Sequence, residues 1–349
     1  MNIKKLLKKN EYLYYIAYCI ANIKSKKFRN RVLEIKTNPN QMRFKHNGLK
    51  NSGCLYYHIV VGDETKGFCS AIRDTLYYLA YAESLGLLPY IEYTKNMPYQ
   101  ENEPINGGSN SFEYFFRQPC VQERRILDES VAVVDCEAIH TEGIFTLRGI
   151  NEPKSYYVNE NDHIDICAQL YRKYFKLNEH VEKNFKNDIE MLIKAKTIGV
   201  HFRGTDFKVG YNGHPVAVKH QEHINEVKKL LETGEYQYVF LATEDGDVID
   251  SFKKEFGEKL LMYDVVRGTG ETNAYNMKSN RKHHHYLLAY EVLRDVYTLA
   301  HCDAFVTSVS GVGITSQIVK KSMGNEFESV SILDAGINKT KKTLQKRVY

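Results

Sequence analysis

The sequence predicts an α/β protein built as two Rossmann-like domains facing across a cleft. Two observations carry this. Short apolar runs alternate with stretches of helical periodicity in two separate regions, and 349 residues exceed the roughly 100 to 200 that one domain usually holds. The first region runs from Leu55 to Tyr93 and the second from Ile198 to Leu333.

In the first region the apolar run Leu55–Val61 reads as a strand, Asp63–Gly67 as a turn, Cys69–Leu85 as a helix and Leu87–Tyr93 as a second strand, which is a βαβ unit. Residues 95–130, rich in Asn, Gly, Gln and Pro, are expected to be irregular, with a strand following at Val131–Asp135. The aromatics Phe112, Tyr114, Phe115 and Phe116 within them fit a core better than a sugar platform. A helical stretch over 162–195 bridges to the second half. There the pattern is regular: strand Ile198–Phe202, helix Val218–Glu232, strand Tyr238–Ala242, helix Asp247–Phe256 and strand Leu260–Tyr263. A polar insert at 267–284 follows, then helix Tyr286–His301, strand Ala304–Ser308, helix Gly313–Lys321 and strand Val330–Leu333. Such alternation predicts a parallel sheet covered by helices on both faces, with ligands at the carboxyl ends of its strands. The expected divisions are a basic segment 1–36, domains 37–190 and 191–335, and a basic tail 336–349.

The formal net charge is +5, but its distribution argues against nucleic acid as a partner. Residues 1–36 hold ten Lys or Arg against Glu11 and Glu34, a net +8, so the remaining 313 residues sum to −3. A folded domain that binds nucleic acid needs a basic face. The tail adds a second basic run, Lys339, Lys341, Lys342, Lys346 and Arg347. Near the start, lysines flank the stretch Tyr12–Ile23, too short for a bilayer that takes about 20 apolar residues and too interrupted by tyrosine for a signal peptide. Two readings stay open: an interfacial helix giving peripheral membrane contact, or an amphipathic helix packed on the protein's own body. Seven cysteines without a CxxC pair indicate neither a disulfide framework nor a zinc site, and fit a reducing cytoplasm.

Function is sought at the strand ends of the second half. His201-Phe202-Arg203-Gly204-Thr205-Asp206 places an arginine beside a glycine, where its planar fork of donors can meet a diphosphate. A surface pair Arg203–Asp206 is the plainer alternative. Strand 238–242 runs into Thr243-Glu244-Asp245. Strand 304–308 ends at Ser308 and leads through Ser310 and Gly311 into a helix, whose N-terminal amides and dipole favour an anion. The string Glu244-Asp245-Gly246-Asp247 reads as a strand end and helix cap rather than a metal site. The run His283-His284-His285 reads as solvated loop, because successive helix residues point about 100° apart and make no ligand face.

Taken in this order, these segments resemble the fucosyltransferase superfamily of α1,6-fucosyltransferases, nodulation fucosyltransferases and protein O-fucosyltransferases. The likeness covers about residues 197–322, with a weaker echo at 58–93. His201, Arg203, Thr205 and Asp206 match the family's His-x-Arg-Arg-Thr-Asp, with Gly204 in place of the second arginine; Leu241-Ala242-Thr243-Glu244-Asp245 matches its strand end. Leu293 to Asp303 matches its Leu-Asp-Ile-x-x-Leu-x-x-Ala-Asp helix, so Asp295 falls where the family binds guanine. Ser310-Gly311-Val312 corresponds to its phosphate turn, and Lys66-Gly67-Phe68-Cys69 to the glycine turn closing over the donor.

The resemblance implies a GT-B-like fold and an inverting, metal-independent transferase moving fucose from GDP-fucose to a glycan. The acceptor could be surface polysaccharide on a lipid carrier, placing the enzyme in polysaccharide biosynthesis at the cytoplasmic face of the membrane. Residues 37–190 become the acceptor side and 191–335 the nucleotide-sugar side. The implied donor-binding set is Gly67, Phe68, His201, Arg203, Thr243, Glu244, Asp295, Ser308, Ser310 and Gly311, with no metal and no cofactor besides the donor. Asn212 stands where α1,6-type relatives carry a glutamate base, leaving Asp206 and His214 as the nearest titratable groups beside Arg203. Two other readings remain: another GDP-sugar such as GDP-mannose on the same scaffold, or a nucleotide- or glycan-binding module without turnover.

Overall fold

The structure, a computed structural model, describes residues 47–51, 53–62, 64–130, 133–135, 161–277 and 279–342, together with Ile20 and Lys24. The segment 1–36 otherwise lies outside the described residues, as does the interfacial-helix reading attached to it. Among the described residues no helix is long and apolar enough to cross a membrane.

The first region is the expected βαβ unit: β1 (Tyr56–Val61), α1 (Phe68–Leu85) and β2 (Leu88–Tyr93). Helix α1 stops at Gly86, whose φ of 68° suits a residue without Cβ and lets Leu87 N–H donate back to Ala82 O at 2.9 Å. After β3 (Phe116–Arg117) and α2 (Arg124–Glu129), β4 (Val133–Asp135) joins a parallel sheet of order β2-β1-β4. The expected irregularity of 95–130 therefore needs correcting at β3 and α2. Phe112, Tyr114, Phe115 and Phe116 are all buried.

The single helical stretch expected over 162–195 is two helices, α3 (Asn161–Tyr174) and α4 (Glu179–Leu192). Between them β5 (Lys176–Leu177) pairs antiparallel with β3, and Asn178 caps α4 by accepting Val181 N–H at 3.0 Å. Helical periodicity continues through the break because both helices bury the same kind of face; the cap and the strand pairing decide where the chain leaves the helix.

The second region holds β6 (Thr197–Phe202), α5 (His220–Glu232), β7 (Tyr238–Thr243), α6 (Ile249–Phe256), β8 (Leu260–Leu261), α7 (His284–His301), β9 (Ala304–Ser308), α8 (Gly311–Ser322) and β10 (Ser329–Leu333). Its five strands are parallel in the order β10-β9-β6-β7-β8. Every residue of β6 is buried, as a central parallel strand requires. The order runs outward from β6 to β8, then returns to β9 on the other side of β6, so the topology switches direction between β6 and β9. That crevice is where open α/β sheets take their ligands.

Ile72 and Leu76 of α1, Ile164 of α3, Leu293 of α7 and Ile318 of α8 belong to one buried apolar cluster. The run at 283–285 also departs from expectation: His284 and His285 open α7, His284 is buried, and the His285 ring meets Pro98 O at 2.7 Å.

Candidate active site

At the switch point, β6 delivers His201 and then Arg203 into a pocket with about 1240 Å³ of empty space, its solvent mouth included. Small-molecule sites usually span about 300–1,000 Å³. Gly67, Phe68, His201, Arg203, Thr243 and Glu244 all line it, as do Asp295, Ser310, Gly311 and His214. Ser308 does not: it is buried in the sheet at the end of β9. The side chain of Asp206 lies outside the described residues; its backbone sits in a 3-10 turn, Thr205–Val209.

Two helices begin at this pocket. Helix α1 starts after Gly67, which contributes no side-chain cap, and its first turn (Phe68, Cys69, Ser70) lines the wall. Helix α8 starts after Ser310, whose hydroxyl oxygen accepts Gly313 N–H at 3.0 Å. A Cβ placed on Gly311 would lie 3.6 Å from Cys69 Cβ, so the two N-termini face one another closely. Both bring partial positive charge to the same space as the Arg203 guanidinium.

The polar groups around Arg203 are fixed from two strands. Arg203 pairs with Glu244 at the end of β7 and lies 5.1 Å over the Phe207 ring. Glu244 also accepts the Thr205 hydroxyl at 2.7 Å. Thr205 holds φ at +44°, a costly setting for a β-branched residue, and it stays there fully buried beside the pocket.

His201 is neutral: burial, then the Arg203 charge and His223, hold its pKa down to about 3. His201 Nδ1 lies 3.1 Å from Ser310 Oγ, the same oxygen that accepts Gly313 N–H. The Cys69 thiol is pushed up to about 12, chiefly by burial, and forms a neutral part of the wall.

Gly204 stands where the resembling family carries a second arginine, and packing explains why. A Cβ there would sit 1.9 Å from Asp245 Oδ2. Asp245 is fully buried, pairs with Lys208 at 2.7 Å and caps the following 3-10 turn through Asp247 N–H at 3.1 Å. The string Glu244-Asp245-Gly246-Asp247 is thus spent on a strand end, a cap and ion pairs. Among the described residues there is no group of three or more His, Cys, Asp or Glu side chains that could hold a metal. Gly204→Ala is expected to destabilise the protein by about 1–3 kcal/mol, the cost of overpacking, read as a lowered urea midpoint; an unchanged midpoint would show that Asp245 can move aside.

A further part of the wall is a face of α7. Leu288, Glu291, Val292 and Asp295 recur at helical spacing and all line the pocket. Asp295 is partly accessible there, yet desolvation pushes its pKa up to about 7, against the lowering pull of Arg294 and Arg267 and with a further rise from Glu291. Arg267 has no motif around it that marks it in the sequence. Its guanidinium donates to Thr243 O at 3.2 Å, Val265 O at 3.4 Å and Tyr263 O at 2.7 Å, which staples the start of the polar insert to the end of β7. Arg281 from the same insert pairs with Glu291. Val265, Val266 and Ala274 supply apolar wall.

Neither a protein-family profile nor a curated relative matches the sequence. Solved structures do. The chain is similar to NodZ alpha-1,6-fucosyltransferase soaked with GDP-fucose, at 15% identity and a TM-score of 0.45 over 76% of this chain and 92% of that one. It is similar to the Se-Met fucosyltransferase NodZ from Bradyrhizobium at 14% identity and 0.47, over 82% and 97%. POFUT1 in complex with GDP matches at 13% identity and 0.45, over 83% and 99%. Each is a likeness of chain path; the chemistry of the pocket rests on the residues described above.

Proposed function

We propose that this chain is an inverting glycosyltransferase that moves fucose from GDP-fucose to a glycan without a metal, on a GT-B-like scaffold whose halves are 37–190 and 191–335. One observation carries the reading: Arg203, two helix N-termini and the Asp295 carboxyl line a single pocket. The arginine and the helix N-termini suit a diphosphate. The carboxyl suits guanine, whose N1–H and N2–H donors a carboxylate can accept together.

In this reading the acceptor hydroxyl oxygen forms its bond to the anomeric carbon on the face opposite GDP, while the bond from that carbon to the diphosphate oxygen breaks. Negative charge grows on the departing diphosphate, and in this reading Arg203, His201 and the helix amides stabilise it. The hydroxyl proton passes to a base within about 3 Å of it; His214, on the pocket wall, is in a position to be that base, and Asp206 is the second candidate.

The test is GDP release from GDP-fucose, GDP-mannose and UDP-sugars with EDTA present and a mixed glycan pool as acceptor. Selective turnover of GDP-fucose is expected. Preference for GDP-mannose would keep the scaffold and change the donor, a UDP preference would sink the base assignment, and GDP-sugar binding without release would make the chain a binding module.

A further inference from the structure

The chain does not leave the molecule after β10. Residues 334–342 turn back along the loop 209–216, where Pro215 and Ile337 form an antiparallel bridge. Loop amides donate to this segment: Val216 N–H to Gly336 O at 2.8 Å, Gly213 N–H to Asn338 O at 3.0 Å, Asn212 N–H to Lys342 O at 2.8 Å. The segment donates back. Asn338 N–H reaches His214 O at 2.8 Å, and its side-chain amide reaches His214 O at 3.2 Å and Pro215 O at 3.0 Å. The Thr340 hydroxyl bonds Gly210 O at 2.8 Å and the Lys342 ammonium bonds Val209 O at 2.9 Å.

Two further backbone bonds shape the loop, Gly210 N–H to Phe207 O and His214 N–H to Tyr211 O, both at 3.1 Å. Gly210 and Gly213 both sit at positive φ, 70° and 79°, conformations that glycine adopts readily and that favour no single structure in a free chain. Of its apolar residues Val209, Tyr211, Pro215 and Val216 only Pro215 is buried, the sparse packing of a segment that opens at low free energy. Its backbone polar groups are satisfied largely by the chain end. Yet this loop brings His214 to the pocket wall, with its ring 6.0 Å from Phe207 and 5.8 Å from Tyr211.

We infer that residues 334–342 are a clasp that orders the loop 209–216 and so sets the place of His214, with Asn338 as the positioning residue. Asn338 acts through the loop backbone. Its amide supplies donors to two successive carbonyls, which an isosteric aspartate cannot do.

The test compares wild type, Asn338→Asp and a chain ending at Asp334. Amide hydrogen exchange across 209–216 is expected to rise about ten-fold or more in both variants, with GDP affinity by calorimetry within about two-fold of wild type, since the donor contacts lie elsewhere. The kcat for GDP release is expected to fall about 10- to 100-fold, the scale of a displaced catalytic group, at unchanged donor KM. Unchanged exchange overturns the clasp. Faster exchange with unchanged kcat overturns the positioning of His214, and a fall in kcat matched by lost GDP affinity and a lowered melting temperature shows general unfolding instead. The kinetic arm rests on the proposed donor site; the exchange arm does not, so a wild type that turns over no donor sinks that function while exchange alone decides the clasp.

Discussion

Alanine in place of Arg203 is expected to lower kcat/KM for GDP release by about 10²- to 10³-fold, the loss measured when one preorganised donor to a developing anion is removed. The guanidinium stands at the carboxyl end of β6, fixed by Glu244 and by the Phe207 ring. A diphosphate entering the pocket competes with Glu244 for it. Removing Arg203 has two effects: the donor loses its cation, and Glu244 is left facing the diphosphate with its charge uncompensated. A double change, Arg203→Ala with Glu244→Gln, separates them. Donor affinity partly recovering in the double variant assigns that part of the loss to repulsion, and kcat staying low assigns the rest to the transition state. Arg203→Lys is expected to restore only a fraction, because a point charge does not reproduce the planar fork. A kcat/KM within about three-fold of wild type in the alanine variant would be too small for any direct contact with the leaving group and would remove Arg203 from the site.

The second large effect concerns pH. Guanine's two donors need an ionised carboxylate, while the Asp295 carboxyl in the empty pocket is pushed up to about 7 by desolvation. The competent fraction therefore shrinks as pH falls through about 7, and GDP affinity is expected to drop about ten-fold per pH unit below it and to level off above. Binding releases a proton, measurable by calorimetry in buffers of different ionisation enthalpy. Asp295→Asn is expected to bind GDP weakly with no such dependence. An affinity that is flat from about pH 6 to 8 would mean the carboxyl ionises with an ordinary value or does not meet the base. The same shift acts on stability with the opposite sense. A carboxyl that holds its proton more tightly folded than unfolded makes the protein lose stability as pH rises from about 4 to about 7, so the ionised group that suits the nucleotide is a cost to the empty fold.

Much of the site was legible because it lies on parallel strands and at helix starts, whose signals are local. The strand ending at Phe202 is an unbroken apolar run because a central parallel strand is buried on both faces. Arg203, Thr243, Glu244 and Ser310 could then be found as the polar residues directly after such runs, and Asp295 by its place in a recognisable helix. Gly67 and Phe68 followed from the resemblance of Lys66-Gly67-Phe68-Cys69 to the family's glycine turn.

What the sequence by itself determined is the kind and order of the elements, together with the polar residues at their ends, since period, capping and turn chemistry act within a few residues. The tertiary structure decided how distant segments meet. Gly204 is required by Asp245, forty-one positions on, because a Cβ would enter its carboxyl group. The strand order β10-β9-β6-β7-β8 brings Ser310 beside His201, the staple from Arg267 closes the base-side wall, and helices of both regions share one core. Residues 336–349 read as a basic tail, and only the backbone bonds of 336–342 to 209–216 tie that segment to the loop that carries His214. Packing sets these contacts, which join residues from 24 to more than a hundred positions apart, where no local pattern reaches.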